Sequence, residues 1–479
     1  MFRRVYALAL ALTLTAGQAS AQVVLSPTHY ELDVEVNFAA EMLRGTAGVV
    51  LVNPSTEAVR DASLLLYRLL RVRSVRDDRG RDLPYSQTVA AFEDFGKLQV
   101  NQILVMLAEP LPPGAQTVVQ IQYDGYLLGY SETGMRYIKD RIDPEFTILR
   151  DDSYAYPQPG YPSFALNRSA PEWSFTYSAR ITVPKGLVVA NGGRLEATDT
   201  LGNEVTFRFS SLKPSWRMDF AIARYSQLSS GKIRVYHFPD DGEGAAGVAE
   251  AAEKALDLFS SWFGPLREEA ALTFIEIPDG WGSQADVTTV IQSAAAFRDP
   301  KRHREVYHEI SHLWNVSPTD RPSPRWNEGL ASFLEFLVAQ ELTGEPVVDS
   351  RAAQLLGWLR DELPGHPQWS KVPLIDYGRN RLTDLSYSVG ALFFDLLYRL
   401  AGRDTFNTII GRYYVDFGTR GGSTEDFAAL AAKIATSTNV SQLITDWIHT
   451  TSWADRIEHS SGIEDLAEYY RHGDRQGGN

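Results

Sequence analysis

The chain has 479 residues and a formal net charge of −14, with 44% hydrophobic and 22% charged residues. These values are typical of a folded globular protein with room for two or three domains, and they exclude extensive disorder. The negative charge argues against nucleic-acid binding, because an acidic surface repels phosphate groups. The sequence has no cysteine, so disulfides and thiolate ligands are excluded and any metal must be held by nitrogen and oxygen atoms.

The first residues have the pattern of an export signal. Arg3 and Arg4 precede an apolar run from Val5 to Ala16, and Ala19-Ser20-Ala21 follows as a small-residue cleavage pattern. We therefore predict a signal peptide over residues 1–21 and a mature protein that is periplasmic or secreted. No later stretch is long and apolar enough to cross a bilayer, so no transmembrane segment is expected in the mature chain.

Residues 22–239 predict an N-terminal all-β domain. Apolar and polar residues alternate from Tyr30 to Val36 and again from Trp173 to Val183, which indicates strands with one buried face. Asn191-Gly192-Gly193 lies between apolar residues and predicts a hairpin turn. We expect the sheets of this domain to pack face to face.

Residues 240–456 have mainly helical periodicity and predict a second, mainly α domain with a small sheet. A helix over 244–263 ends at Gly264-Pro265, and strands are expected at 272–277 and 287–291. Further helices are predicted at 352–363, 387–400, 404–415, 424–434 and 440–450. Residues 457–479 are predicted to form a polar C-terminal tail, with at least its end loose. The fold class is therefore α+β and multidomain.

The most informative motif is His308-Glu309-Ile310-Ser311-His312. Two histidines four residues apart project from one face of a helix, and neutral imidazole is a good zinc ligand. Glu309 would lie beside such a metal without binding it, in the position of a general base. The pattern also occurs by chance in unrelated helices, so a third ligand is needed to support it.

Glu328 is the predicted third ligand. Prolines after His312 end the first helix, and a second helix that begins near Arg325 places Glu328 in its first turn. His308, His312, Glu328 and one water would complete a catalytic site for one zinc ion. Asn327 and Glu335 are nearby candidates for orienting the imidazoles. The alternative is an amphipathic helix pair with incidental polar residues.

This arrangement resembles the aminopeptidase N (membrane alanyl aminopeptidase) family of gluzincin zinc metallopeptidases. The likeness includes His29-Tyr30-Glu31-Leu32, Leu43-Arg44-Gly45-Thr46, the helix ending in Phe263-Gly264 and the paired metal helices. It implies an N-terminal β-sheet domain followed by a thermolysin-like, mainly α zinc-peptidase domain. It also implies hydrolysis of N-terminal residues from a peptide substrate by zinc-activated water, with Glu309 as general base.

Tyr387 is a second catalytic candidate that rests on the same resemblance. In the family a tyrosine followed by a Gly-Ala pair begins a helix and offers its hydroxyl to the substrate carbonyl. Tyr387-Ser388-Val389-Gly390-Ala391 matches this spacing. The alternative is one more packing aromatic among 22 tyrosines.

The chain departs from the family where a free amine would bind. The signature Gly-Ala-Met-Glu-Asn is absent, and one register puts Gly282-Ser283-Gln284-Ala285-Asp286 there, with Ala285 in place of the amine-binding glutamate. Another register makes Asp279 that carboxylate, although Asp279 is equally well explained as a turn residue in Pro278-Asp279-Gly280. In addition, fifteen residues separate His312 from Glu328, fewer than the family usually has.

His312-Leu313-Trp314-Asn315-Val316 is closer to the related glycyl aminopeptidase family, a more distant likeness with the same order of domains. The sequence therefore leaves three functions open. The first is a zinc aminopeptidase. The second is a zinc endopeptidase or narrow-specificity peptidase without the usual amine anchor, and the third is a non-catalytic peptide-binding protein on the same scaffold.

Overall fold

A computed structural model describes residues 22–133, 139–171, 173–267, 272–436 and 438–472. The predicted signal peptide lies outside these ranges. Within them, no helix combines the length and the apolar character that crossing a membrane requires.

The N-terminal part of the chain forms strands β1 to β14 and one short helix, α1 Phe164–Ser169. The strands are β1 Ser26–Asn37, β2 Met42–Val52, β3 Val59–Tyr67, β4 Leu70–Arg76, β5 Tyr85–Phe92, β6 Phe95–Leu111, β7 Gln116–Tyr126, β8 Phe146–Leu149, β9 Gln158–Pro159, β10 Thr176–Pro184, β11 Val188–Ala190, β12 Arg194–Leu201, β13 Glu204–Ser210 and β14 Phe220–Ala223. They form a seven-stranded sheet, β12-β13-β10-β1-β2-β7-β4, a four-stranded sheet, β5-β6-β3-β9, and a three-stranded sheet, β11-β14-β8.

The two larger sheets pack face to face, which confirms the predicted all-β domain. The alternation in β1 explains why: Tyr30, Leu32 and Val34 are buried, while Glu31 and Asp33 face outward. Apolar residues from both sheets form one continuous core. Removing this apolar surface from water is the main free-energy gain that holds the sheets together.

The predicted hairpin at Asn191-Gly192-Gly193 is wrong. β11 pairs with β14 and β12 pairs with β13, so this turn carries the chain from one sheet to another. The Asn191 side chain is buried and accepts hydrogen bonds from the Tyr177 hydroxyl and the Gly193 N–H, each at 2.8 Å. An Asn-Gly pair suits any tight turn, and the pattern alone does not identify the strands that pair.

The second domain contains a five-stranded sheet in the order β15-β16-β17-β19-β18 and most of the helices. Its strands are β15 Ser226–Ser230, β16 Ile233–His237, β17 Leu272–Ile277, β18 Gln284–Ala285 and β19 Thr289–Ser293. Its helices are α2 Gly242–Phe263, α3 Ala294–Arg298, α4 His303–Ser311, α5 Trp326–Thr343, α6 Val347–Glu362, α7 Val389–Ala401, α8 Arg403–Phe417, α9 Thr424–Ala435, α10 Thr438–Ile444, α11 Ser452–His459 and α12 Ile463–His472. Because β15 and β16 belong to this sheet, the domain boundary predicted between residues 239 and 240 lies too late in the chain.

The segment predicted as a polar tail over 457–479 is folded as far as His472. It completes α11 and forms α12, in which Ile463, Leu466, Ala467 and Tyr470 are buried against the helical core. These residues recur at the spacing of one helical face, a pattern that the polar composition obscured. The prediction of a tail was wrong for this part, and residues 473–479 lie outside the described ranges.

The β domain contacts the second domain through buried Arg150, and a second buried arginine, Arg217, lies nearby. Arg150 donates two hydrogen bonds to Asp140, both at 2.9 Å, and Arg217 donates two to Asp219 at 2.7 and 2.8 Å. Arg150 also donates to Gln284 of β18 at 3.4 Å. Buried charges of this kind need paired partners, which the aspartates supply. The contact with Gln284 joins Arg150 to β18, at the edge of the five-stranded sheet.

Glu276 in β17 gives a testable pH dependence of stability. It is fully buried and accepts a hydrogen bond from the Phe238 N–H; burial, with Asp241 nearby, raises its pKa from 4.5 to about 9. Between these pH values the folded protein keeps a proton that the unfolded chain releases, so stability falls as pH rises. We expect Glu276→Gln to change the melting midpoint little at pH 5 and to raise it by about 2 °C or more at pH 8.5.

The measurement is thermal unfolding at both pH values. Glu204→Gln, at an exposed position in β13, controls for the loss of one negative charge. An equal effect of Glu276→Gln at the two pH values would show that Glu276 is not protonated in the folded state.

Candidate metal centre

α4 and the 3₁₀ turn that directly follows it carry the two predicted histidine ligands on the face opposite the apolar contacts of α4. Val306 and Ile310 are buried in the helical core. The helix continues into a 3₁₀ turn over His312–Trp314, where the Trp314 indole N–H donates to the Gly264 carbonyl at the end of α2. These contacts fix the rotation of α4, so His308 and His312 share one face with ring centroids 5.0 Å apart.

Glu328, in the first turn of α5, completes the group. Its Oε2 lies 3.5 Å from Nε2 of His308 and 3.4 Å from Nε2 of His312. Zinc bonds of about 2.0–2.1 Å in a tetrahedron place two ligand atoms about 3.3 Å apart, so the spacing fits a zinc ion. Among the described residues, these three form the group of histidine and acidic side chains arranged to hold a metal.

Tyr387 is brought to this group by a close approach of two helices. Gly329 of α5 and Gly390 of α7 face each other, and a side chain at position 329 would overlap the Ser386 carbonyl and Gly390. The glycines therefore place the 3₁₀ turn over Thr383–Tyr387 beside α5. The Tyr387 ring lies parallel to that of His308 at 6.2 Å, its hydroxyl interacts with Glu328, and the residue is 37% exposed.

The protonation of His308 and Glu328 is set by hydrogen bonds and charges within the site. Burial favours a neutral His308, but hydrogen bonds to Glu328 and Glu335 outweigh burial and raise its pKa to about 10. Burial likewise disfavours an ionised Glu328, but the charge of His312 and the histidine hydrogen bonds hold its pKa well below the usual range. The Glu328 carboxylate is therefore ionised, and a metal bound here would displace the proton that His308 shares with it.

Glu309 is buried between these groups, with 7% of its surface exposed. Burial raises its pKa, an effect that Glu328 and Glu335 reinforce and that the two histidines oppose. A carboxylate whose pKa moves towards neutrality is better matched to proton transfer near pH 7 than an exposed glutamate. This environment suits a general base.

Each imidazole has a second partner that fixes its orientation. Nδ1 of His308 lies 3.0 Å from Oε2 of Glu335, which was a candidate from the sequence. Nδ1 of His312 lies 2.8 Å from Nδ2 of Asn315. Among the described contacts, none joins Asn327 to either ring. Glu335 accepts the Nδ1–H of His308 and so selects the tautomer that leaves Nε2 of this ring free for a metal. The same tautomer of His312 requires the amide oxygen of Asn315, in place of its nitrogen, at the Nδ1 contact.

Asn315 was missed because its role depends on the 3₁₀ turn that follows α4. The turn places Asn315 three residues after His312, on the same side as the ring. In the sequence, a polar residue three positions after the second histidine was the feature that could have identified it. The residue types alone did not show that the helix tightens at this point.

The residues considered for binding a free amine lie along the turn between β17 and β18. Asp279 pairs with Arg298 at 3.3 Å and accepts a hydrogen bond from Ser293 at 3.2 Å. Ala285 packs against the helical core, whereas Gln284 contacts Arg150. β18 itself lies beside α4. The structure therefore places Asp279 in an ion pair and Ala285 in an apolar contact.

No protein-family model matches the chain, and no curated protein matches it. Solved structures do. An M1 zinc metallopeptidase from Deinococcus radiodurans is similar at 20% identity and a TM-score of 0.61, over 89% of this chain and 94% of that chain. A glutamate-to-alanine mutant of that metallopeptidase, bound to a Tyr-Ser-Ala substrate, is similar over the same shares at 20% identity and a TM-score of 0.62.

A further structure of this type, described as a two-domain M1 zinc metallopeptidase mutant bound to L-arginine, also covers 89% of this chain and 94% of its own, at 20% identity and a TM-score of 0.62. At this level of identity the likeness concerns the fold. It extends over both the β domain and the helical domain. The chain therefore has the two-domain α+β fold of the M1 zinc metallopeptidases.

Proposed function

We propose that the protein is a zinc-dependent metallopeptidase that removes N-terminal residues from peptides. The observation that carries this proposal is the convergence of His308, His312 and Glu328 with buried Glu309 and the Tyr387 hydroxyl. The fold is that of the M1 zinc metallopeptidases, and one of those structures holds a tripeptide substrate. Three ligands, a base and a hydroxyl donor are the parts that metal-assisted peptide hydrolysis needs.

In this mechanism the chain's own residues move the protons. A zinc ion bound by the three ligands would act as a Lewis acid towards the scissile carbonyl and the attacking water. Glu309 accepts a proton from that water as it attacks, and then delivers the proton to the nitrogen of the leaving amine. Glu335 and Asn315 keep the two imidazoles in place throughout.

Tyr387 donates a hydrogen bond to the carbonyl oxygen as negative charge develops on it. We expect Tyr387→Phe to lower kcat by about a hundredfold or more, because the loss of one such donor typically has this cost. Its metal content should not change, since the phenol is not a ligand. Tyr85→Phe, at an equally exposed tyrosine in β5, is the matched control. Unchanged kcat in Tyr387→Phe would assign this tyrosine to packing.

The second part of the proposal is that the peptidase prefers peptides with a free N-terminal amine. An aminopeptidase needs an anionic partner for the substrate ammonium group, and Ala285 offers none. Asp279 is 54% exposed beside Arg298. Asp152 of the β domain lies near Gln284 and pairs with Arg217 at 3.2 Å, with 22% of its side chain exposed. These two carboxylates are therefore the ones to test, by Asp279→Asn and Asp152→Asn.

The experiment compares aminoacyl reporters that have a free amine with the same reporters blocked at the amine, each with and without a chelator. We expect chelator-sensitive cleavage of the free-amine series. Preferential cleavage of amine-blocked peptides, or cleavage at internal bonds, would favour the second candidate, a zinc endopeptidase. This candidate is supported by Ala285, which stands where the family has its amine-binding glutamate. Bound zinc without cleavage of any reporter would favour a peptide-binding protein.

We also propose that the protein is exported. Arg3, Arg4, the apolar run and Ala19-Ser20-Ala21 support this proposal. Expression of the full chain in a bacterial host should yield a mature protein that begins at Gln22, as N-terminal sequencing would show. Recovery of the uncleaved chain in the cytoplasm would contradict it.

A further inference from the structure

Arg325 immediately precedes α5 and binds the carboxylate of Glu328. Its Nη2 lies 2.5 Å from Oε1 of Glu328, whereas Oε2 of the same carboxylate faces His308 and His312 at 3.5 and 3.4 Å. The two oxygens of Glu328 therefore face different groups, and the Tyr387 hydroxyl lies beside the same carboxylate. One oxygen belongs to the guanidinium and the other to the candidate metal position.

The backbone at Arg325 is held in an unusual conformation. Its φ of 58° lies in the left-handed region, which is strained for a residue other than glycine. The flanking chain is fixed on both sides: the Ser386 hydroxyl donates to the Pro324 carbonyl at 2.8 Å, and the Trp326 indole donates to the Thr424 hydroxyl at 3.1 Å. The surroundings therefore impose this conformation.

The conformation has a consequence for the side chain. A residue at this position usually caps the helix with its side chain, but Arg325 makes no such bond. Its guanidinium instead reaches forward one turn to Glu328. A planar guanidinium fixes the orientation of a carboxylate more strictly than a point charge does. The strained backbone and the ion pair thus act on the same ligand.

We propose that Arg325 is a positioning residue that holds Oε1 of Glu328, so that this carboxylate presents only Oε2 to the metal. This inference rests on the proposed metal site. A carboxylate that is free to turn can bind a metal through both oxygens. The second oxygen would then fill the position that a catalytic site keeps open for water and substrate.

The test uses Arg325→Gly, because glycine adopts a positive φ without strain and so removes the guanidinium while preserving the backbone. The probe is Co²⁺ added to metal-depleted protein, since Co²⁺ takes the same nitrogen and oxygen ligands and its visible absorption weakens as the coordination number rises. We expect weaker cobalt absorption in Arg325→Gly than in the wild type. We also expect kcat of the zinc form to fall about 10- to 100-fold, with a smaller change in KM.

Two further variants separate positioning from a general structural effect. Arg325→Lys keeps a positive charge and N–H donors on a side chain of similar length, so it should recover part of both the absorption and kcat. Arg412→Ala removes an exposed arginine that pairs with Asp416 on α8. Its cobalt absorption and kcat should match those of the wild type. Melting midpoints confirm that each variant is folded.

The outcomes distinguish this inference from the proposed function. A wild-type protein that binds no cobalt would overturn the metal site and the role of Arg325 together. A wild-type protein that binds cobalt, with the same spectrum in Arg325→Gly, would overturn the positioning role alone, whatever happens to kcat. A spectrum that changes in Arg325→Gly and returns towards the wild type in Arg325→Lys would support it.

Discussion

Glu309→Gln should lower kcat by at least about a hundredfold while zinc remains bound. The amide has the size and shape of the carboxylate but cannot accept the proton of the attacking water. The variant keeps His308, His312 and Glu328, so its zinc content should equal that of the wild type. Because Glu309 is buried and its pKa is raised by burial, removing its charge should not destabilise the fold.

The measurement pairs peptide hydrolysis with metal analysis of the same sample. Glu305→Gln is the matched control, since Glu305 lies one turn earlier on α4 and pairs with Arg302. It should retain most of the activity. If Glu309→Gln and Glu305→Gln were equally active, Glu309 would not be the base.

His308→Ala should remove both zinc and activity. The variant loses one of three ligands, so we expect its zinc affinity to fall by more than about a hundredfold, beyond the usual cost of losing an orienting partner alone. It also leaves Glu335 and Glu328 with one hydrogen-bond partner fewer in a buried site. We therefore expect a lower melting midpoint for the zinc-free variant than for the zinc-free wild type.

Zinc affinity would be measured by competition with a coloured chelator. His366→Ala, at a histidine that stacks on Trp369 away from the centre, controls for the loss of an imidazole. Zinc affinity in His308→Ala equal to that of the wild type would mean that the metal binds elsewhere.

The centre follows from local patterns, and for this reason the sequence predicts much of it. Two histidines four residues apart share a helix face in any context, and prolines between His312 and Glu328 separate one helix from the next. Whether the second helix returns over the first depends on tertiary contacts. Here α5 packs directly on α4, and the close approach of Gly329 and Gly390 brings Tyr387 beside α5.

The parts that were missed depend on geometry between segments. Arg325 is an ordinary arginine in the sequence, and its contact with Glu328 follows from a left-handed backbone that distant residues impose. The strands β15 and β16 resemble those before them, so their pattern does not show that they join the second sheet. α12 was hidden by polar composition although its apolar residues have helical spacing.

The central claim is that His308, His312 and Glu328 hold one zinc ion that peptide hydrolysis requires. The most direct test removes metal from the wild-type protein with a chelator and then titrates zinc back while a free-amine peptide is hydrolysed. Hydrolysis should vanish on removal and return in full at about one zinc per chain. Undiminished hydrolysis by the metal-free protein, or no hydrolysis when one zinc is bound, would contradict the account.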